Sequence, residues 1–184
     1  PAKGKEPIVV CATKGILEGT NQLMSEVLLS NVPWLTENKM VAFSGPSHAE
    51  EVSRHILTAI VAACVNEESA KLVQKVMSCS YLRVYSSTDI VGVELCGSVK
   101  NVIAIASGVL YGLEASGKYK IGDNTRAALL TRGQAEMCRL GKALGAKSET
   151  FAGLAGMGDL IVTCLSQHSR NRYVGEHIGR GETI

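Results

Sequence analysis

The chain has 184 residues, of which 46% are hydrophobic and 20% charged, and its formal net charge is +2 at pH 7. This composition is typical of a soluble globular chain, long enough for one sizeable domain or two incomplete ones. No cluster of basic residues and only two Phe, one Trp and five Tyr argue against a nucleic-acid partner. No apolar run approaches the roughly 20 residues that cross a bilayer, and the amino end lacks a signal-peptide pattern, so we expect no membrane partner.

The cysteines and histidines do not suggest a metal site. Six cysteines are scattered among mostly apolar neighbours, without a Cys-x-x-Cys pair. This pattern is typical of small core residues in a reducing compartment. The four histidines share no ligand spacing, so we expect no bound metal. They are His48, His55, His168 and His177.

The first half of the sequence alternates short apolar runs with helical stretches. Residues 8–12, 40–43, 59–64 and 82–85 are predicted strands. The first three are continuously apolar, as expected of strands buried on both faces, so they predict a parallel sheet. Helical periodicity is found over 21–29 and 67–77, and a helix can begin within 47–54 after the Gly45–Pro46 turn.

Two segments of this half follow predicted strands and carry polar groups. Residues 44–47 (Ser-Gly-Pro-Ser) place backbone N–H groups and a hydroxyl at a strand end, where α/β sheets bind ligands. The same segment can be a tight turn with Ser47 as a helix N-cap, and both roles are compatible. Lys14 follows the first strand and can pair with an anion, although an exposed lysine in a turn is also ordinary.

From Asp89 the pattern predicts helices only, so we place a domain boundary near Thr88. Asp123 or Asn124 is expected to cap a helix that Gly145 ends. Its predicted apolar stripe is Leu129, Leu130, Gly133, Met137, Leu140 and Leu144. Residues 116–120 form the clearest loop. The predicted fold class is therefore α/β followed by all-α.

Lys100 stands in a run of apolar and small residues. On a helix with about 100° per residue, one side is an apolar arc and the other is small and polar. The arc holds Val99, Val102, Ile103, Ala106, Val109 and Leu110, and the polar side holds Gly97, Lys100, Asn101, Ala104 and Gly108. A desolvated lysine has a lowered pKa and suits general acid/base chemistry. Alternatively, its head reaches water or pairs with Glu94.

A later segment gathers a carboxylate, a hydroxyl and a cation. Asp159 follows a glycine-rich stretch, and Ser169, Arg170 and Asn171 come shortly after it. The guanidinium of Arg170 presents a planar fork of donors that suits two phosphate oxygens, and its neighbours can add hydrogen bonds. Asp159 can orient a hydroxyl or an amine. Alone, such a run is also typical of a solvated loop.

Four segments together resemble the NAD(P)-dependent glycerol-3-phosphate dehydrogenases of the bacterial and plastid type. They are residues 12–16, 44–52, 91–106, and 122–133 continuing to 170–172. They occur in the family's order and at similar spacing over nearly the whole chain. The resemblance implies the C-terminal part of a Rossmann-like parallel sheet over residues 1–88. A helical substrate domain of the 6-phosphogluconate-dehydrogenase-like type follows over 89–184. No G-x-G-x-x-G fingerprint precedes Lys14, so we expect a fragment of a longer enzyme.

The resemblance implies reversible hydride transfer between NAD or NADP and carbon 2 of glycerol 3-phosphate, giving dihydroxyacetone phosphate. Lys100 is then the acid/base, with Lys14 and Asp159 setting charge and orientation around it. The implied cofactor contacts are Lys14, Ala49 and Arg170, and His48 is either near the cofactor or a polar cap. The implied substrate contacts are Lys14, Gly45, Ser47, Lys100, Asn101, Asp159, Thr163, Ser169, Arg170 and Asn171.

Two other functions stay open at the level of sequence. One is a related two-domain dehydrogenase that acts on a short hydroxy acid, although such relatives usually separate the lysine and asparagine that are adjacent here as Lys100 and Asn101. The other is a helical binding module without catalysis. The resemblance suggests a cytoplasmic enzyme that supplies glycerol 3-phosphate for phospholipid synthesis, with a plastid location as an alternative. A homodimer is compatible with it.

Overall fold

The computed structural model describes residues 7–183. A four-stranded sheet forms its first part, in the order β1-β2-β3-β4. The strands are β1 (Val9–Cys11), β2 (Met40–Ser44), β3 (Thr58–Ala63) and β4 (Leu82–Ser87). Each predicted strand is found, with its ends moved by at most two residues.

The sheet is not wholly parallel. β1 pairs with β2, and β3 with β4, in parallel, but β2 and β3 are antiparallel, with Ala42 opposite Ala63 and Ser44 opposite Val61. The expectation of a parallel sheet is wrong for this pair. The only helix between them, α2 (Ala49–Val52), has one turn and spans about 6 Å, too short to return the chain along a five-residue strand of about 17 Å. The carboxyl ends of β1 and β2 therefore lie at the same edge as the amino ends of β3 and β4.

Two further helices pack beside the sheet. They are α1 (Met24–Asn31) and α3 (Glu67–Met77), and α3 has the predicted bounds. α1 begins three residues later than expected, because residues 16–23 form a turn closed by a bridge between Ile16 and Leu23. The expectation that Ser47 is the N-cap of α2 is wrong. The cap position is His48, and the Ser47 hydroxyl donates to the carbonyl of Gly45.

The second part of the chain is helical, as predicted. Its helices are α4 (Ile90–Ala115), α5 (Asp123–Ala143), α6 (Ser148–Ala152), α7 (Asp159–Leu165) and α8 (Arg170–Arg180), with a π-helical turn at Leu154–Gly158. The expected cap of α5 is wrong. Gly122 holds that position, and the Asp123 carboxylate pairs with Arg126 instead.

The end of α5 is as predicted, but its apolar stripe is shorter. Gly145 adopts a left-handed φ of +87° directly after the helix, which ends it. Gly133 and Met137 are buried, whereas Leu140 and Leu144 are exposed. The stripe therefore contacts the core over the middle of α5 only.

The long helix α4 is the centre of the helical part. Its small and polar side is buried, including Lys100, Ala104 and Gly108, whereas Val102 on the apolar arc is exposed. With 26 residues, α4 is long and apolar enough to cross a membrane by length and composition, although half of the relevant window is buried inside the protein. The search of the sequence for continuous apolar runs did not find this helix, because glycine and serine interrupt its apolar residues.

The sheet and the helices share one core. Ala42 and Ala63 of the sheet pack in the same buried cluster as Val93 of α4 and Leu160 of α7. Alternation of strands and helices stops between Ser87 and Ile90. The division into domains at 1–88 and 89–184 stays a prediction.

Candidate active site

A buried carboxylate holds two lysines that are far apart in sequence. Lys14 Nζ donates to Asp159 Oδ2 at 2.9 Å, and Lys100 Nζ donates to Asp159 Oδ1. Lys100 also donates to the hydroxyl of Thr163 at 2.9 Å. Asp159 is only 2% exposed and Lys100 only 5%. Each carboxylate oxygen thus faces one ammonium group, in a place from which water is largely removed.

The local sequence explains where Asp159 stands. It is the first residue of α7, which continues directly from the π-helical turn at Leu154–Gly158. The π-helical turn before it passes so close to the chain that a side chain on Gly156 would overlap the carbonyl of Phe151. Thr163 lies one turn further along α7, on the same side, and its hydroxyl also donates to the backbone carbonyl of Asp159. The turn and α7 therefore present Asp159 and Thr163 together to α4.

Burial makes Lys100 a weaker base than an ordinary lysine. Its pKa is lowered to about 8, first by desolvation and further by the positive charge of Lys14, while Asp159 opposes the shift. A pKa of this size lets an amine exchange a proton near neutral pH. The alternative pairing of Lys100 with Glu94 is wrong. Glu94 accepts from both the N–H and the hydroxyl of Ser25, and burial raises the pKa of its carboxyl group.

A second polar group joins α4 to the start of α8. Asn171 Nδ2 donates to Asn101 Oδ1 at 2.9 Å. Ser169 is buried and caps α8, because its hydroxyl accepts from the N–H of Arg172 at 3.2 Å. Arg170 is the exposed first residue of α8. The predicted anion-binding residues 169–171 thus form the start of α8, which lies beside Asn101 of α4.

The turn after β2 lies near the start of α8. A side chain on Gly45 would stand 3.0 Å from Ile60 Cα, so the turn needs glycine there. The rings of His48 and His168 are 6.0 Å apart. A backbone hydrogen bond lowers the pKa of Glu50, and the charges of His168, His48 and Arg170 lower it further. Residues 45–50 and the start of α8 are therefore neighbours.

A cavity of about 340 Å³ opens beside Lys14. Most of its wall is apolar, and Lys14 and Ser47 are its polar members. It is lined by Ala12, Lys14, Phe43, Ser47, Ala49, Val52, Ile60 and Leu82. Apolar walls with a few polar groups are typical of sites for small flat ligands. Three predicted site residues, Lys14, Ser47 and Ala49, meet here.

The structure brings most predicted site residues together, although their roles stay predictions. Lys14, Lys100, Asp159 and Thr163 form one hydrogen-bonded network, and Asn101 pairs with Asn171. The hydroxyl of Ser169 is used by the helix cap, so it is less free to bind a ligand than expected.

Sequence reasoning gave no site role to Gly97 and Ser98, which lie against Lys14 and the residue after it. Both belong to the segment around Lys100, which is a signal that could have pointed to them. Among residues 7–183, no group of His, Cys, Asp and Glu is arranged to hold a metal ion.

Two family matches cover most of this chain. Residues 89–184 match the family described as NAD-dependent glycerol-3-phosphate dehydrogenase C-terminus, and residues 2–70 match its N-terminus. The chain belongs to this dehydrogenase family. The match includes every residue of the two-lysine network, because Lys14 lies in the first segment and Lys100, Asp159 and Thr163 lie in the second.

Individual relatives in the family agree with this assignment. A glycerol-3-phosphate dehydrogenase [NAD(P)+] of Lactobacillus acidophilus is 53% identical over 98% of this chain and 52% of its own length. One of Chlorobium chlorochromatii is 52% identical over 100% of this chain and 53% of its own length. The chain thus spans about half the length of the curated relatives it matches.

Solved structures of the family have the same fold. The glycerol-3-phosphate dehydrogenase of Coxiella burnetii is 41% identical, with a TM-score of 0.81 over 94% of this chain and 50% of that one. The Dunaliella salina protein is 27% identical, with a TM-score of 0.80 over 93% of this chain and 28% of that one. These likenesses confirm the predicted fold class of a Rossmann-like sheet followed by a helical part.

Proposed function

We propose that this chain is part of an enzyme that interconverts sn-glycerol 3-phosphate and dihydroxyacetone phosphate with NAD(P)(H). One observation carries the proposal: buried Asp159 binds Lys14 from the sheet half and Lys100 from the helical half. Burying the charges of Asp159 and Lys100 is unfavourable unless they are paired or used. The names of the relatives supply the substrate and the cofactor class.

Lys100 is the proposed acid/base of the reaction. In oxidation its neutral amine takes the proton of the hydroxyl at carbon 2. In reduction its ammonium returns that proton to the carbonyl oxygen. Asp159 and Thr163 orient the nitrogen through their hydrogen bonds, and Lys14 adds positive charge where the substrate oxygen becomes negative.

The start of α8 is the proposed phosphate site. Arg170 supplies the guanidinium, and beside it Asn171 of α8 donates a hydrogen bond to Asn101 of α4. Gly45 and Ser47 complete the substrate contacts from the turn after β2. Because the phosphate does not react, its binding energy serves to hold carbon 2 in the reactive orientation.

The residues beside Lys14 fit a nicotinamide cofactor. The cavity has apolar walls for a planar ring, and Lys14 and Ala49 line it. Lys14, Ala49 and, from the start of α8, Arg170 are the residues that would hold the cofactor. When bound, NAD(P)(H) supplies or accepts the hydride. The apolar lining, with Phe43 and Ile60, offers water few hydrogen bonds at that position.

The two rival functions are less well supported. A binding module without catalysis predicts that Lys100 and Asp159 are exposed, whereas both are buried. A dehydrogenase for short hydroxy acids does not need the guanidinium of Arg170 beside a polar helix start. We place the enzyme in the cytoplasm, with plastids as the alternative. Its expected partners are small molecules and a second copy of the chain, with neither nucleic acid nor membrane.

The decisive experiment uses the full-length protein. Dihydroxyacetone phosphate is added to NADH and, separately, to NADPH, and the loss of near-ultraviolet absorbance is followed. Oxidation of either cofactor supports the proposal, and the faster arm identifies the preferred one. A folded protein that oxidises neither contradicts it. A parallel assay with 3-hydroxyisobutyrate and the oxidised cofactors then tests the short hydroxy acids.

A further inference from the structure

Lys14 reaches Asp159 from a segment without regular structure. It lies between the end of β1 at Cys11 and the bridge at Ile16, and its side chain is 29% exposed. Holding a lysine side chain in one conformation costs about 1.5–2 kcal/mol of entropy. A fixed position of its ammonium therefore requires contacts along the stem or on the neighbouring backbone.

One such contact fixes the backbone directly after Lys14. The N–H of Gly15 donates to Ser98 Oγ at 3.0 Å. Ser98 in turn donates to the backbone carbonyl of Glu94 at 2.9 Å, one turn earlier in α4. The hydroxyl is thus held in one orientation, and it ties the segment of Lys14 to the same helix that carries Lys100.

A second contact leaves room for the stem of Lys14. A Cβ on Gly97 would stand 3.3 Å from both Cγ and Cδ of Lys14, and 2.9 Å from Ser44 Oγ. Ser44 is 4% exposed at the end of β2, so its hydroxyl is enclosed by the packed chain. The lack of a side chain at Gly97 therefore lets Lys14 lie between β2 and α4.

We propose that Gly97 and Ser98 are positioning residues that hold Lys14 against Asp159, and that they thereby set how the charge of Lys14 acts on Lys100. The positioning of Lys14 against Asp159 does not depend on which reaction the enzyme catalyses. Only the consequence of this positioning for catalysis rests on the proposed function. Neither residue contacts the reacting atoms in this proposal; both act through Lys14.

The charges around Lys100 give the direction of the effect. Asp159 faces it from the start of α7 and Lys14 from the segment after β1. Cys164 of α7 lies near it, and Cys96 of α4 lies near Asp159. Lys14 lowers the pKa of Lys100 and Asp159 raises it. If Lys14 moves away, Lys100 is the only lysine paired with Asp159, and the pKa of Lys100 rises.

The test measures the titration of Lys100 directly. In the full-length protein labelled on lysine, the ¹⁵Nζ signal is assigned by its loss in Lys100→Arg, and its midpoint is then followed by NMR. Gly97→Ala is expected to raise the midpoint by about half a pH unit or more, because the added methyl displaces Lys14. Ser98→Ala should raise it less, and Ser98→Thr should restore it. Gly133→Ala, which crowds only the side chain of Ile103, is the matched control.

A double-mutant cycle separates positioning from general damage to the fold. In a Lys14→Met background, Gly97→Ala should produce no further shift, since its action requires Lys14. A shift that persists without Lys14 overturns the proposal, as does an unchanged midpoint in both Gly97→Ala and Ser98→Ala. If Gly97→Ala does not fold, the midpoints of Ser98→Ala and Ser98→Thr alone decide whether the proposal holds.

The catalytic consequence is measured separately. The rate of glycerol 3-phosphate oxidation should rise with pH along a limb that Gly97→Ala moves to higher pH by the same amount as the NMR midpoint. A wild-type protein that is inactive with dihydroxyacetone phosphate contradicts the proposed function. In that case the NMR shifts still decide whether Gly97 and Ser98 position Lys14.

Discussion

Asp159 shows how a buried carboxylate can be stabilised when both of its oxygens are paired with cations. Each of its carboxylate oxygens accepts from one lysine, so the cost of burying the charges of Asp159 and Lys100 is offset by two ion pairs and by the hydrogen bond that Lys100 donates to Thr163. The group carries one net positive charge when both lysines are protonated. Such a group is suited to a substrate oxygen that becomes negative.

Removal of the amine of Lys100 should affect turnover more than binding. Lys100→Ala in the full-length protein is expected to lower turnover about 100-fold or more, with a small change in the Michaelis constant, because the proton of the substrate hydroxyl loses its acceptor. Steady-state kinetics measure this. Lys118→Ala, in an exposed loop, is the control. Unchanged turnover in Lys100→Ala would remove this residue from its role.

The lowered pKa of Lys100 predicts opposite pH dependences for the two directions. Oxidation needs the neutral amine, so its rate should rise with pH and level off above about 8. Reduction needs the ammonium, so its rate should fall as pH rises through about 8. Rates at low substrate concentration, measured in both directions over the same pH range, test this. Two limbs that move in the same direction would contradict it.

Arg170 should affect binding rather than chemistry. Arg170→Ala is expected to raise the Michaelis constant for glycerol 3-phosphate by about 10-fold or more, because a guanidinium bound to phosphate forms charge-assisted hydrogen bonds worth roughly 1.5–3 kcal/mol. Saturation curves measure this, and Arg139→Ala, exposed on α5, is the control. Curves that coincide with wild type would reject the phosphate site.

At the scale of elements, glycines bring α4 and α8 unusually close. Side chains on Gly108 and Gly112 would overlap carbonyls of Arg172 and Glu176, and one on Gly175 would overlap the carbonyl of Ile105. The two helices therefore touch backbone to backbone. This contact holds the start of α8 against α4, where Asn171 meets Asn101.

Widening the contact between α4 and α8 should lower the stability of the protein. Gly175→Ala is expected to reduce the free energy of unfolding by about 1–3 kcal/mol or more, because a rigid backbone cannot give way to the added methyl. Denaturant unfolding measures the loss. Gly133→Ala, which meets only the side chain of Ile103, should lose less. Equal losses in the two variants would show that backbone contact is not the cause.

Elements were predictable to the extent that their signals are local. α3 has the predicted bounds because its apolar residues recur with helical periodicity, and β2 and β3 are found because continuous apolar runs indicate buried strands. The direction of β3 relative to β2 was not predictable from those runs. Apolar side chains on both faces fit either direction, and only the short connection through α2 decides it.

At the scale of the whole molecule, the site depends on contacts that sequence spacing does not contain. Lys14 and Asp159 are 145 residues apart, and Asn101 and Asn171 are 70 apart. The resemblance to the dehydrogenase family brought these residues together before the structure did. It includes Gly97 and Ser98 but gave them no role, because their effect depends on how closely β2 and α4 approach Lys14, which is a property of the packed molecule.

The buried ionisable groups also predict how global stability depends on pH. The pKa of Lys100 is lowered from 10.5 to about 8, so between these values the unfolded chain binds the extra proton and a rise in pH favours folding. Burial raises the pKa of Cys96 to about 12 and that of Cys164 to about 11. Their thiols therefore favour folding fully below pH 9, and this contribution is lost as pH rises through those values.

Substitution separates these opposite contributions. The free energy of unfolding of wild type minus that of Lys100→Met should increase between pH 8 and 10.5, because only wild type loses the burial penalty of the ammonium in that range. Wild type minus Cys96→Ala should decrease above pH 9 instead. Denaturant titrations at several pH values measure both differences. A flat difference for Lys100→Met would mean that Lys100 has the same pKa in the folded and unfolded chain, and that the attraction of Asp159 balances both its burial and the charge of Lys14.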